Sequence, residues 1–268
     1  MSSRFRNGAF IAALLVATGA QARDFRVCSD PNNLPFSNEA GQGFENKLAE
    51  MIATELGADL KYTWRAWHRS FLRETLDAKK CDVIMGVPAN FPKTLTTRPY
   101  YKSVYAFVAP ATTPTISSFD DPALKNATVG VQIIGDDGEG TPPSYALTKR
   151  GLINNMKPYA AVGDYEDPTP ASAIVDAVAN HTIDMAVVWG PVAGYFAARQ
   201  QPPLKVTPVS PPFDGPTLPM AFDISVGVRK DATTLRDELD ATLQKLRPRI
   251  DALLVDYSVP RLDTTDAP

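Results

Sequence analysis

The stretch Cys28-Ser-Asp-Pro-Asn-Asn-Leu-Pro-Phe36, followed closely by Gly43-Phe44-Glu45-Asn46-Lys47-Leu48-Ala49-Glu50-Met51-Ile52, constrains this chain more than any other. A short strand, Phe25-Arg26-Val27, runs into a Pro/Asn turn, and an amphipathic helix begins after a glycine. Asp30, Pro35 and Phe36 therefore stand at the carboxyl end of the first strand, where open α/β sheets bind their ligands. The arrangement points to a clefted ligand-binding protein.

The rest of the chain continues the alternation of strand and helix, the pattern of a mainly parallel sheet with helices on its faces. A helix over Glu45 to Leu56 is stopped by Gly57, and Asp59 to Trp64 alternates as a strand. Ser70 to Lys79 reads as a helix with Phe71, Leu72, Thr75 and Leu76 on one face, and Asp82 to Gly86 as a buried strand. Tyr100 to Val108 is apolar and extended, and Ala109 to Pro114 looks like a crossing into a second lobe. That lobe opens with Ala127-Thr-Val-Gly-Val-Gln132; Thr169-Pro170 supplies an N-cap and a Pro at N1 for a helix over Pro170 to Asn180. Ile183 to Trp189 is its next strand, and Pro191 starts another helix. Leu204 to Val209 reads as the return crossing, because the strand Ala221 to Val228 and a helix over Thr234 to Leu246 complete the first lobe. The expected organisation is 23–108 with 209–268 as lobe one and 109–208 as lobe two, joined by a two-strand hinge.

Ahead of these elements, Met1 to Ala22 carries Arg4 and Arg6, an apolar run from Ala9 to Val16 and Ala20-Gln21-Ala22 as a cleavage site, the features of a secretory signal peptide. The run is short of the ~20 residues a membrane span needs, and no later stretch is apolar enough. A net charge of −3 without a basic cluster argues against nucleic acid as a partner. Twenty-four prolines against sixteen glycines describe stiff connections rather than loose linkers. Only the last few residues read as disordered. An exported location favours a disulfide between the two cysteines, Cys28 and Cys81. Against it, Cys28 well along one strand and Cys81 at the start of a parallel one would exceed the ~7 Å limit on Cα separation if the strands are neighbours in register. These arguments oppose each other and leave the pairing open.

The landmarks Asp30…Pro35-Phe36, Gly43-Phe44-Glu45, Cys81-Asp82-Val-Ile-Met-Gly86, Pro99-Tyr100-Tyr101 and Val129-Gly-Val-Gln132 come in the order and spacing of periplasmic solute-binding proteins of the polar-amino-acid type, which this chain resembles over nearly its whole mature length. The resemblance implies a two-lobed α/β fold of periplasmic-binding-protein type II, with two open mixed sheets flanked by helices and joined by a two-strand hinge. Amino-acid binders of that family carry an Arg a few residues past the glycine at Gly86, which grips the ligand carboxylate in a bidentate fork. Here the segment reads Gly86-Val-Pro-Ala-Asn-Phe-Pro-Lys93, and a lysine does not replace the planar fork. The family's usual Thr is Pro88, and Trp189 stands where an acidic residue normally receives the ligand ammonium. Both charged handles for a zwitterion are missing, which disfavours an amino-acid binder.

Cys28 to Phe36, Met-Gly-Val-Pro-Ala, Leu-Thr-Thr-Arg-Pro-Tyr-Tyr, Gly-Val-Gln-Ile-Ile-Gly-Asp-Asp-Gly, Val-Val-Trp-Gly-Pro and Ile250 to Pro260 together resemble one subfamily, the binding-protein-like components encoded with PQQ-dependent methanol dehydrogenases, the XoxJ/MxaJ type. This implies a periplasmic accessory protein, with no cofactor of its own, that helps mature or activate a quinoprotein alcohol dehydrogenase by binding it. That enzyme's cytochrome c is a further candidate partner, and the metal of the partner, calcium or a lanthanide, is left open. The cleft residues implied for a ligand or partner are Asp30, Asn32, Pro35, Phe36, Trp67, Arg69, Gly86, Val87, Pro88, Phe91, Lys93, Gln132, Asp136, Trp189 and Tyr195. For the aromatics among them a plain core role is the competing reading.

Other chemistries find little support. Gly135-Asp-Asp-Gly-Glu-Gly140 lacks the spaced ligands and terminal Glu of an EF-hand loop and reads better as a solvated turn. His68 and His181 have no companion at ligand spacing, which argues against zinc. Arg69 with Ser70 ahead of a helix reads equally as an anion site or as a surface cap. No Gly-x-Ser-x-Gly elbow or phosphate loop is present. Two alternatives stay open. One is an importer's receptor for a small solute that is not an amino acid; the other is a cyclohexadienyl-dehydratase-like enzyme, which would need an acid such as Glu45 poised in the cleft.

Overall fold

The computed structural model describes residues 23–134, 139–161, 167 and 169–262; the expectations for 1–22, for Asp136 and for the last residues lie outside them. The chain order is β1 (Asp24–Ser29), α1 (Phe44–Leu56), β2 (Asp59–Trp64), α2 (Phe71–Glu74), β3 (Val83–Pro88), β4 (Tyr101–Ala109), β5 (Val129–Ile134), α3 (Pro142–Lys149), β6 (Met156–Ala160), α4 (Ala173–Ala179), β7 (Met185–Trp189), α5 (Gly190–Ala197), β8 (Lys205–Pro208), β9 (Ala221–Val228) and α6 (Thr233–Asp256).

The first sheet runs β2-β1-β3-β9-β4. β1 lies parallel between β2, from Asp24↔Asp59 to Ser29↔Trp64, and β3, with Val27 opposite Val83. β9 is antiparallel to both β3 and β4. The second sheet runs β6-β5-β7-β4-β8, with β5 parallel to β6 and β7, and β4 antiparallel to β7 and β8. β4 serves both sheets: Tyr101 to Val104 pair with β9, and Tyr105 to Ala109 pair with β7 and β8. The change of partner thus falls between Val104 and Tyr105, inside the strand rather than at its end; a continuous apolar run contains no sign of where it happens.

Each sheet is covered on both faces. On one face of the first, Phe44, Leu48 and Ile52 of α1 and Leu243, Leu246, Ile250 and Leu254 of α6 pack on Val27, Val83 and Val226. The opposite face is a smaller cluster of Cys28, Phe71, Leu76, Cys81, Ile84 and Val87. In the second sheet Val129, Val131, Met185 and Val187 face Leu124 and Leu147, while Ala106, Val108, Ala186 and Val188 face α4 and α5. Buried residues at three- and four-residue intervals on α1 and α6 carry this packing.

Three elements differ from the sequence reading. The helix expected over Ser70 to Lys79 lasts one turn, because the Thr75 hydroxyl donates to the Phe71 carbonyl and Thr75 itself leaves helical geometry at φ −120° and ψ −82°. α6 runs on past Leu246 to Asp256 with Pro248 inside it, since Ile250 and Leu254 remain buried and hold the extra turns to the core. Cys28 and Cys81 are joined in a disulfide with a Cα separation of 5.5 Å. The separation argument failed because Cys81 precedes β3 in a turn instead of lying in the extended strand. That turn is fixed by Asp82 N–H donating to the Arg26 carbonyl at 2.8 Å, Arg229 Nη1 to the Cys81 carbonyl at 2.8 Å and Arg26 Nη1 to the Lys79 carbonyl at 3.2 Å. Burial favours a neutral Asp82, but its hydrogen bonds from Arg26 and Arg229 together hold the carboxyl below the ordinary aspartate range.

Candidate functional site

The turn after β1 builds the site. Asp30, 3% exposed, accepts the Asn32 N–H on Oδ1 at 2.8 Å and the Trp67 N–H on Oδ2 at 2.7 Å. Its carbonyl accepts from Ser37 Oγ at 2.8 Å. One carboxylate therefore fixes two loops, the local hydrogen-bonding habit that suits Asp to turns. The turn then docks on the start of α1, where the Phe44 and Glu45 N–H groups donate to the Pro35 and Phe36 carbonyls at 2.8 and 2.9 Å and satisfy donors a helix start leaves open. Gly43 is required at this junction, since a Cβ there would stand 2.0 Å from the Phe36 carbonyl oxygen.

Between this turn, the ends of β1 and β3, and β4 lies a cavity of about 190 Å³. It is lined by Cys28, Ser29, Asp30, Asn33, Phe36, Ser37, Glu45, Trp67, Phe71, Ile84, Met85, Gly86, Tyr101, Trp189 and Ile224. Glu45 projects from the first turn of α1 beneath Gly86. Gly86 has φ +71°, and a Cβ there would come within 2.1 Å of Glu45 Oε1, so both its backbone and its missing side chain serve the carboxyl. Glu45 is 8% exposed, and burial pushes its carboxyl up to about 8. It is thus an acid that stays protonated at neutral pH. Burial first, and Glu45 second, raise the phenols of Tyr100 and Tyr101 above their ordinary range.

Of the residues expected from sequence, Asp30, Phe36, Trp67, Gly86, Trp189 and Cys28 are brought together around the cavity. Asn32 sits at its edge, with Nδ2 donating to the Asp167 carbonyl across the lobes. Pro35 is buried under the turn, and Gln132 Oε1 accepts the Trp189 N–H at 2.8 Å instead of facing the cavity. Val87 points into the core behind β3, with Phe91 packed against the same cluster. Pro88, Lys93 and Arg69 are exposed and do not line the cavity. Tyr195 also lies outside it, stacked on Tyr257 at 5.6 Å with the Arg199 guanidinium 3.4 Å from its ring centroid. Trp189 does two things at once: it faces the cavity, and it packs edge-on to Tyr105 and Phe222 while touching the cores of both lobes.

Sequence reasoning passed over Tyr101, Asn33 and Ser37, and raised Glu45 only as an acid that a dehydratase would need. The signal for Glu45 was a carboxyl at the start of an otherwise apolar helix face, two residues beyond an obligatory glycine.

Comparison with known proteins follows the geometry. Residues 25–255 match the family described as bacterial extracellular solute-binding proteins, family 3. The chain is 33% identical to Protein MoxJ of Methylorubrum extorquens, an alignment covering 93% of this chain and 85% of that protein. Its fold superposes on the crystal structure of MxaJ from Methlophaga aminisulfidivorans with a TM-score of 0.77 at 28% identity, covering 89% of this chain and 100% of the other. For the periplasmic binding protein XoxJ from Methylobacterium extorquens the TM-score is 0.72 at 35% identity, with 89% and 99% covered. A two-lobed α/β fold with its cavity at the strand ends, a family match over nearly the whole chain and relatives of one kind agree: the protein belongs to the bacterial extracellular solute-binding proteins, family 3, and within it to the MoxJ and XoxJ type.

Proposed function

We propose that this protein acts in the periplasm as an accessory factor that binds a PQQ-dependent methanol dehydrogenase and helps it mature or become active. The observation that carries the reading is the loss of both zwitterion handles: Lys93 and Pro88 stand away from the cavity, and Trp189 closes the side where an ammonium partner is expected. A fold that no longer grips an amino acid is free to serve a protein partner. The relatives named MoxJ, MxaJ and XoxJ support the same direction. Tyr195, Tyr257 and Arg199 form an aromatic and cationic outer edge, the residue types enriched at interface anchors.

Purified dehydrogenase titrated with this protein tests the reading. A saturable complex and a rise in specific activity are expected, both reduced by the double variant Tyr195→Ala/Arg199→Ala. No complex at micromolar concentrations, or unaltered activation with the double variant, would reject the partner or the contact edge respectively. Calorimetry against an amino-acid panel is expected to show no binding, and a dissociation constant near 1 μM, about 8 kcal/mol, for any amino acid would restore the solute-receptor reading.

A further inference from the structure

We propose that the cavity beneath Gly86 binds a small organic cation with N–H donors, of the primary-ammonium or guanidinium type, held by the carboxyl group of Glu45 within a ring of aromatic side chains.

The argument begins with what the cavity contains. Glu45 is 8% exposed, faces the cavity, and no side-chain or backbone donor reaches its carboxyl among the described residues. A buried polar group without a partner is costly, and native folds rarely keep one without a use. A bound donor would end that cost. The rings of Phe36, Trp67, Tyr101 and Trp189 line the same space and present π faces that attract a cation.

The lining also states what does not fit. Among the described residues none of those around the cavity is Lys, Arg or His, so an anion would meet the Asp30 carboxylate without compensation. A zwitterion would have its ammonium satisfied and its carboxylate stranded. A neutral alcohol could donate to Glu45 but would gain nothing from the charge or from the rings. The ligand chemistry that uses every feature is positive, small and able to donate.

Binding then carries a proton signature. The titratable groups facing Glu45 are Tyr62 from β2, Tyr100 and Tyr101 at β4 and Asp30 from the end of β1; none of them brings a positive charge. In the empty site Glu45 holds its proton up to about pH 8. A cation favours the carboxylate, so binding displaces that proton, and affinity rises about tenfold per pH unit below 8 before levelling off.

The test is calorimetry of the mature protein at pH 6, 7 and 8.5 with primary ammonium ions of increasing chain length, guanidinium and tetramethylammonium. Alcohols and carboxylates of matching length serve as controls. Expected results are binding of ammonium or guanidinium at pH 8.5, tenfold weaker at pH 7 and a hundredfold weaker at pH 6, with tetramethylammonium weaker for lack of N–H. Glu45→Gln is expected to weaken binding at pH 8.5 at least tenfold and flatten the pH profile. If that variant does not fold, the wild-type protein still decides the matter: repeating the titration at pH 7 in buffers of different ionisation enthalpy should report close to one proton released per cation bound. Any of three results overturns the proposal: no cation of the panel binding at 10 mM and pH 8.5, an alcohol binding as tightly as its ammonium analogue, or binding without proton release.

Discussion

The two walls of the cavity are built differently. The first-lobe wall carries every acidic and hydroxyl group that faces the space: Asp30 tying two loops, Glu45 under Gly86, and Ser29, Ser37 and Asn33 along the turn, backed by the Cys28–Cys81 disulfide. The second lobe offers a single indole, Trp189, whose N–H is already engaged by Gln132 and whose ring is wedged between Tyr105 and Phe222. An amino-acid receptor divides the two charges of its ligand between lobes. Here one lobe holds the chemistry and the other supplies packing, so recognition of a small molecule and contact with a large partner can reside on separate surfaces.

The largest expected effect breaks this contrast if it fails. Trp189→Ala removes a ring shared by both cores and should cost about 3–4 kcal/mol of stability, the range for truncating a buried aromatic. Chemical denaturation would read it. A loss below 1 kcal/mol would make Trp189 a site residue after all and return the second lobe to ligand recognition. Next comes the disulfide, whose 53-residue separation predicts a loss of about 3 kcal/mol for the double change Cys28→Ser and Cys81→Ser, by restoring freedom to the unfolded chain. The reduced-state variant should also show faster hydrogen exchange in 28–37 than in the second lobe, if the first wall is what the crosslink holds.

The lobes and most elements were legible in the sequence because strand–helix alternation with glycine and proline punctuation survives without tertiary context. Asp59 to Trp64 and Ala221 to Val228 matched the strands residue for residue. What escaped was decided by neighbours distant in sequence. The disulfide depended on three hydrogen bonds from Arg26, Asp82 and Arg229 that curl the Cys81 turn. The short α2 turned on one back-bonding threonine, and the length of α6 on burial beyond a proline. In the site, aromatic type alone did not separate Phe36 and Trp67, which face the cavity, from Phe91 and Tyr195, which do not. Glu45 became meaningful only once Gly86 was seen above it.

Glu45→Gln has the next effect, of opposite sign. The carboxyl titrates near 8 in the folded protein and near the ordinary 4.5 when unfolded, so between those values the unfolded chain has released a proton that the native state retains. Stability of the wild type therefore falls as pH rises through that window. Glutamine, which cannot ionise, should make the protein more stable than wild type at pH 7.5 by about 2 kcal/mol, with the difference vanishing at pH 4. Melting curves across pH 4 to 8.5 give the comparison directly. A wild type whose stability is flat over that range would show Glu45 to be solvated, and would weaken the first-lobe wall as a polar site.

The smallest expected effect concerns the polar contact between lobes. Asn32 Nδ2 donates to the Asp167 carbonyl from a half-buried side chain, whereas Leu34 of the same turn packs into the second-lobe core and Phe36 touches the cores of both lobes. Apolar contact of this kind outweighs one exposed neutral hydrogen bond, whose net worth is about 0.5–1.5 kcal/mol at most and less where water can replace the partner. Asn32→Ala should therefore change stability by under about 1 kcal/mol, while Leu34→Ala should cost about 2–3 kcal/mol. Denaturation midpoints of the two variants settle the ratio. If Asn32→Ala proves the more damaging, the lobes are held by polar strapping across the turn and not by the turn's own apolar side chains, and the division between a chemical first lobe and a packing second lobe would have to be redrawn at Asn32.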